Sequence, residues 1–136
     1  MLYRDPSKSI DGWLHSICGA AIYSLLCIQK NQGLSGNSLE IGVYLGKTIA
    51  HFICNREENE ITIGIDPFIY SFQPKSLKNA DIYSQAIQNI KELNLAQNIE
   101  GKTILLKGYS TEEEIINTVK RYSNSFRVIS IDGGHG

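Results

Sequence analysis

The sequence lacks a large net charge of either sign and lacks any long apolar run. Thirteen Lys and Arg residues are balanced by 14 Asp and Glu residues, which leaves a formal net charge of −1. A surface without excess positive charge does not attract nucleic acid or an anionic membrane, so we expect neither as a partner. The longest nearly apolar run, ICGAAIYSLLCI, is shorter than the about 20 residues that a transmembrane helix needs.

Cysteine is scarce and unpatterned. The three cysteines, Cys18, Cys27 and Cys54, form no Cys-x-x-Cys pair, and an odd number cannot be fully paired in disulfides. This usage is typical of buried thiols in a reducing compartment. We therefore expect a cytoplasmic protein.

The length predicts one domain, covering residues 1–136, with no internal repeat. Residues 1–8 read as a polar lead-in and residues 9–33 as an N-terminal helix region, with a helix from Asp11 to Lys30. The apolar positions at helical spacing, which we expect to form its buried stripe, are Leu14, Cys18, Ala21, Leu25 and Ile28.

After residue 33, strand patterns alternate with helix patterns. Strands are predicted at 38–43, 61–66, 102–108 and 126–132, and helices at 47–58, 80–95 and 110–123. Ser110 or Thr111 is expected to cap the last helix. Alternating strands and helices predict βαβ units, and hence an α/β, Rossmann-like parallel sheet with flanking helices.

Three of the four predicted strands end near a carboxylate. These are Glu40 with Gly42, Asp66 before Pro67, and Asp132 before a glycine. In parallel sheets, ligands bind beyond the carboxyl ends of the strands, at the point where the strand order reverses. The sequence therefore predicts a ligand site at this edge.

The loop after the first strand, EIGVYLGKT, does not fit a phosphate-binding loop. A Walker A motif needs a glycine five positions before Gly46, and that position is Ile41. A dinucleotide fingerprint needs a second glycine at position 44, which is Tyr44. A nucleotide hydrolase remains an alternative function only because the segment RVISID resembles a Walker B strand.

The pattern that fits is Glu-x-Gly-x-x-x-Gly, formed by Glu40, Gly42 and Gly46. An acidic residue before a glycine turn suits a ligand with an amino-acid cation and a ribose better than a polyphosphate. Asp66 follows Gly46 by 20 residues and ends the next strand, where a carboxylate can accept both ribose hydroxyls.

The sequence resembles class I S-adenosylmethionine-dependent methyltransferases, in the branch of small-molecule O-methyltransferases and cephalosporin-hydroxylase-like proteins (methyltransferase family 24-like). The resemblance rests on LEIGVYLGKT, IGIDPF, LLKGYS and VISIDGGH, in this order, and covers about residues 9–136. It implies methyl transfer to a small-molecule hydroxyl, with S-adenosylmethionine as cofactor and a divalent cation such as Mg²⁺ as a further candidate.

The resemblance also implies roles for individual residues. The cofactor-binding residues would be Glu40, Gly42, Tyr44, Gly46, Asp66 and Ser110. Asp132 would lie by the transferred methyl group and hold the metal, and His135 would act as a general base or contact the substrate. Tyr109 departs from the family pattern, where many relatives carry an acidic residue beside the adenine.

Two further expectations follow from the resemblance. Such a domain has seven strands, so the four predicted here read as the N-terminal half of a truncated domain that lacks activity alone. The first strand would pair with the fourth, which then lies at an edge and favours self-association or homo-oligomers. A non-catalytic nucleoside or nucleotide binder on the same half-sheet remains the alternative.

Overall fold

The structure is a computed structural model that describes residues 2–70, 77, 81–97 and 102–133. Its elements, in chain order, are α1 (Ser16–Asn31), β1 (Asn37–Ile41), α2 (Ile49–Asn55), β2 (Ile61–Asp66), α3 (Ile82–Gln97), β3 (Lys102–Lys107), α4 (Glu113–Tyr122) and β4 (Phe126–Ile131). Within these ranges, no helix has the length and apolar content needed to cross a membrane.

The four strands form one parallel sheet in the order β3-β2-β1-β4. The chain runs outward from β1 through β2 to β3, and then returns past β1 to place β4 on the other side. This arrangement confirms the predicted Rossmann-like α/β fold and the pairing of the first strand with the fourth. It puts the reversal of strand order between β1 and β4.

Both faces of the sheet carry apolar cores, which explains the nearly continuous apolar character of β2. On one face, α2 contributes Ile49 and Ile53, and α3 contributes Ala86, all fully buried. On the other face, Ile115 of α4 packs against a second cluster that includes Ile63 of β2. Strand β2 covers Ile61–Asp66, as predicted, because its β-branched residues fit a sheet buried on both sides.

The predicted buried stripe of the first helix is wrong. Leu25 and Ile28 are 48% and 53% exposed, whereas Gly19 and Leu26 are buried. The helix carries apolar residues on two faces, and the contact with α2 selects the face that includes Gly19. A side chain at Gly19 would collide with the imidazole of His51, so the absent side chain lets α1 approach α2 closely.

The predicted cap of the last helix is also wrong. Ser110 and Thr111 still belong to the turn that leaves β3, and α4 begins at Glu113 with Glu112 at the N-cap position. The side chain of Glu112 accepts the backbone N–H of Tyr109 at 3.0 Å. The acidic residues therefore lie at the helix start, where the dipole favours them, but the serine and threonine do not cap it.

Strand β4 lies at one edge of the four-stranded sheet, as predicted. Ile129 and Ile131, on the α4 side of this strand, are 53% and 73% exposed. These two residues and the strand edge beside them are called the β4 edge below.

Candidate functional site

Three carboxylates lie along the carboxyl edge of the sheet. Glu40 lies on β1, Asp66 ends β2, and Asp132 directly follows β4. Ile41 is in register with Ile65 and Ile131, so the three neighbouring strands end at the same level. The structure therefore brings together the acidic residues that the sequence singled out.

The glycine turn after β1 has a geometry that only glycine accommodates. Gly42 has φ = 94°, and a Cβ at this position would overlap the backbone carbonyl oxygen of Asp132. Gly46 also has φ = 94°, and its N–H closes the turn on the carbonyl oxygen of Val43 at 2.9 Å. The turn thus lets the backbone after β1 lie against the end of β4, at the point where the strand order reverses.

Asp66 is 1% exposed and already holds three hydrogen bonds. Its Oδ1 accepts the N–H of Phe68 at 2.6 Å. Its Oδ2 accepts the N–H of Tyr44 at 2.8 Å and the hydroxyl of Tyr70 at 2.7 Å. Asp66 therefore links the glycine turn of β1 to the loop after β2, and no part of it faces solvent in this conformation.

Two of these donors come from backbone in the left-handed region. Tyr44 has φ = 52° and Phe68 has φ = 54°, conformations that are uncommon for residues other than glycine. Because each N–H points at the same carboxylate, the hydrogen bonds to Asp66 offset the backbone strain on both sides. Asp66 therefore stabilises the structure of the site, in addition to being a candidate ligand-binding residue.

An aromatic cluster covers Asp66. Tyr70 contacts Tyr44 edge-on, with ring centroids 4.9 Å apart, and Tyr44 stacks on Trp13 at 5.2 Å. The Trp13 side chain is 70% exposed, so the cluster runs from the buried carboxylate to the surface. Burial, followed by the hydrogen bond to Asp66, raises the pKa of Tyr70, which keeps its hydroxyl protonated as a donor.

Glu40 is as deeply buried as Asp66, with 1% of its surface exposed. Burial is the main cause that raises its pKa well above the usual value, and the charges of Asp132 and Asp66 add to the effect. Hydrogen bonds from the Ile49 N–H and the Thr48 hydroxyl act in the opposite direction. Among the described residues, Oε2 of Glu40 has no hydrogen-bond partner.

Asp132 differs from the other two carboxylates because it is exposed. Its backbone N–H bonds the carbonyl oxygen of Ile41 at 2.8 Å, which fixes its Cα beside the glycine turn. Residues 2–70, 77, 81–97 and 102–133 contain no group of three His, Cys, Asp or Glu side chains arranged to hold a metal ion. The metal-binding role of Asp132 stays a prediction.

The remaining predicted residues lie further out or beyond the described ranges. Ser110 is half-buried in the turn between β3 and α4. This turn is joined to the site because the N–H of Gly108 bonds the carbonyl oxygen of Asp66 at 3.0 Å. His135 lies outside the described residues, so its proposed role as a base stays a prediction.

Lys47, which follows the glycine turn, is held by the N-terminal segment. Its ammonium group donates to the carbonyl oxygen of Ile10 at 2.7 Å and lies 3.4 Å from that of Ser7. The lysine of EIGVYLGKT thus ties the residues before α1 to the glycine turn, a structural use that its P-loop-like context does not reveal.

A cavity of about 400 Å³ lies away from the predicted site. Its lining, from α3 and from β3, comprises Tyr83, Ile87, Ile90, Lys91, Asn94, Lys102, Thr103 and Leu105. Lys102 and Thr103 lie at the amino end of β3, opposite the carboxylates. None of the predicted ligand-binding residues lines this cavity.

Sequence reasoning missed the hydrogen bond between Tyr70 and Asp66. The signal was weak: Tyr70 and Trp13 could be noted as aromatic residues near the site, but nothing in their spacing shows which side chain reaches the carboxylate.

In comparisons with known proteins, no protein-family model and no curated protein sequence matches this chain.

Proposed function

We propose that this chain binds S-adenosylmethionine at the carboxyl edge of the sheet and serves methyl transfer to a hydroxyl group of a small molecule. The observation that carries the proposal is the position of Asp66 and the Gly42 turn on adjacent strands, beside the reversal of strand order. A nucleoside bound at this position of an α/β sheet needs a carboxylate that accepts its ribose hydroxyls and a glycine turn that lets the backbone come close to the ligand.

The state of Glu40 supports a ligand that carries positive charge. A buried carboxylate with an unsatisfied oxygen costs free energy, and a bound ammonium group would supply both the missing donor and the opposite charge. S-adenosylmethionine has an amino-acid cation and a sulfonium, whereas ATP brings only negative charge to this edge. The three carboxylates therefore favour a methyltransferase over a nucleotide hydrolase as the function of this chain.

In the proposed roles, Glu40 and the Gly42 turn hold the amino-acid end of the cofactor, and Asp66 holds the ribose. The sulfonium supplies an activated methyl group, which an acceptor oxygen takes in line while the sulfur keeps the electrons of the broken bond. Asp132, exposed at the mouth of the site, is placed to orient the acceptor hydroxyl or receive its proton. His135 is a second candidate for this proton.

A nucleoside or nucleotide binder without turnover is the second candidate function. The observation that favours it is the contrast between the binding and the catalytic residues. Glu40 and Asp66 are 1% exposed and fixed, whereas Asp132 is exposed and belongs to no three-residue metal group in the described ranges. Binding would then need only the residues that are already in place.

The experiment is a calorimetric titration with S-adenosylhomocysteine, 5′-methylthioadenosine and magnesium-ATP. We expect S-adenosylhomocysteine to bind more tightly than methylthioadenosine, which lacks the amino-acid end, and ATP to bind least. Glu40→Gln should abolish the difference between the first two ligands, while Glu114→Gln, an exposed glutamate on α4, should leave it unchanged. Tighter binding of ATP would contradict the proposal.

A methyl-transfer assay with labelled S-adenosylmethionine and a panel of hydroxylated small molecules then separates enzyme from binder. Transfer that is lost in Asp132→Asn supports catalysis. Binding of S-adenosylhomocysteine without transfer to any acceptor is expected both of the second candidate and of the N-terminal half of a longer methyltransferase domain, so only transfer decides between enzyme and binder.

A further inference from the structure

We propose that Tyr70 is a gate on the ribose position: its hydroxyl occupies the acceptor oxygen of Asp66 that a ligand hydroxyl needs, and ligand binding exchanges one hydroxyl for the other. This inference rests on the proposed function, because it assigns Asp66 to a ribose.

The two carboxylate oxygens of Asp66 differ in their remaining capacity to accept hydrogen bonds. Each carboxylate oxygen accepts about two hydrogen bonds. Oδ2 already accepts from the N–H of Tyr44 and the hydroxyl of Tyr70, so it is full, whereas among the described residues Oδ1 accepts from the N–H of Phe68 alone. A ribose that places one hydroxyl on each oxygen finds room on Oδ1 and none on Oδ2.

The three donors to Asp66 differ in how easily they can move. The N–H groups of Tyr44 and Phe68 belong to backbone fixed in the left-handed region, and moving either would break a turn. The Tyr70 hydroxyl is a side-chain group that rotation about two bonds removes. Tyr70 is therefore the exchangeable partner, and its hydroxyl marks where a ligand hydroxyl would lie.

The burial of Asp66 limits the access of a ligand. Asp66 is 1% exposed, so a ligand cannot reach it until a covering group moves. The Tyr70 ring rests edge-on against Tyr44, which in turn stacks on Trp13. Moving Tyr70 thus opens the carboxylate and disturbs a ring chain that ends at the only tryptophan of the sequence.

Such a gate lowers the affinity for the ligand and increases the selectivity for ligands that carry hydroxyl groups. A protein that binds ligand only in its open form has an apparent dissociation constant raised by the reciprocal of the open fraction. Because the closed form is held by a hydroxyl–carboxylate bond, a ligand that offers hydroxyl groups replaces this bond, and a ligand without them leaves Asp66 with an unsatisfied oxygen.

The test compares Tyr70→Phe with the parent protein. The phenylalanine keeps the ring and removes only the competing donor, so S-adenosylhomocysteine and adenosine should bind about tenfold more tightly. The matched control is Tyr83→Phe, the same change in a tyrosine that packs on Phe68. We expect this control to bind like the parent. Thermal melts of all three proteins verify that each is folded at the titration temperature.

A second arm uses 2′,3′-dideoxyadenosine, which lacks the two ribose hydroxyls. It should gain little from Tyr70→Phe, because it does not bond Asp66 in either protein. Adenosine binding should also shift the Trp13 fluorescence of the parent, and this shift should shrink in Tyr70→Phe if Tyr70 is the ring that moves.

The outcomes separate the two ideas. Equal affinity of parent and Tyr70→Phe for S-adenosylhomocysteine refutes the gate and leaves the proposed function standing. An equal gain for adenosine and its dideoxy analogue also refutes it, since removal of bulk rather than hydroxyl exchange would then explain the effect. If neither protein binds S-adenosylhomocysteine or adenosine at millimolar concentration, the proposed function fails and the gate fails with it.

Discussion

Arg127 and Glu60 form an ion pair at 2.9 Å in which each side chain is only 7% exposed. The same guanidinium donates to the carbonyl oxygens of Gly36 and Asn55 and to the side chain of Gln29. One arginine near the start of β4 therefore fastens this edge strand to α1, to the end of α2 and to the segments before β1 and β2.

We predict that Glu60→Ala destabilises the fold by about 3–5 kcal/mol, because it leaves the buried guanidinium without its counter-charge. Chemical denaturation measures the change. The exposed pair of Lys30 and Glu57, at 2.6 Å, is the control, and Glu57→Ala should cost less than about 1 kcal/mol. Similar costs for both variants would show that the Arg127 network does not hold β4 in place.

Glu40→Gln should stabilise the protein at neutral pH and should not do so in acid. The folded state raises the pKa of Glu40 above the ordinary value of 4.5, so between this value and the raised pKa the folded state binds more protons than the unfolded state. The stability of the parent therefore falls as the pH rises through this window, and glutamine removes the loss.

Denaturation midpoints of parent and Glu40→Gln, measured from about pH 4 to pH 8, test this sign. The two curves should approach each other toward the acid end and separate above it. A constant offset across the range would mean that the charge of Glu40 is not penalised in the folded protein.

Asp66→Ala should abolish the binding of S-adenosylhomocysteine, since the ribose hydroxyls lose a charged acceptor worth roughly 1.5–3 kcal/mol. The structure adds a cost in stability of about 1–3 kcal/mol for each N–H left buried without a partner, at Tyr44 and Phe68. Calorimetry is therefore paired with a melt, and with Asp81→Asn, an exposed aspartate, as the control. Undiminished binding by folded Asp66→Ala would remove the ribose assignment.

The β4 edge should promote self-association at micromolar concentration. The outer side of β4 pairs with no other strand among the described residues, and next to the exposed Ile129 and Ile131 its backbone groups offer a surface for another strand. Ile129→Lys should shift sedimentation toward the monomer by placing a charge on this surface. Leu95→Lys, at a residue on α3 that is 83% exposed, is the matched control and should have a smaller effect. A parent protein that sediments as a monomer at high concentration would rule the prediction out.

Much of the fold follows from local pattern. Strand β2 is predictable at both ends because Ile-Thr-Ile-Gly-Ile-Asp combines β-branched residues with a stop at Asp66 and Pro67. The pattern of α1 identifies a helix but not its buried face, because Leu25 and Leu26 lie on different faces and only contact with α2 chooses between them.

The sequence by itself determined the α/β class, the positions of the strands and the carboxylates at the strand ends, because these depend on neighbours within a few residues along the chain. Only the tertiary structure decided what those carboxylates contact. The hydrogen bond from Tyr70 to Asp66, the burial of Glu40 and the exposure of Asp132 all depend on loops from different strands meeting at one edge. Their hydrogen bonds and desolvation arise between residues that are distant in sequence, and no periodicity along the chain records them.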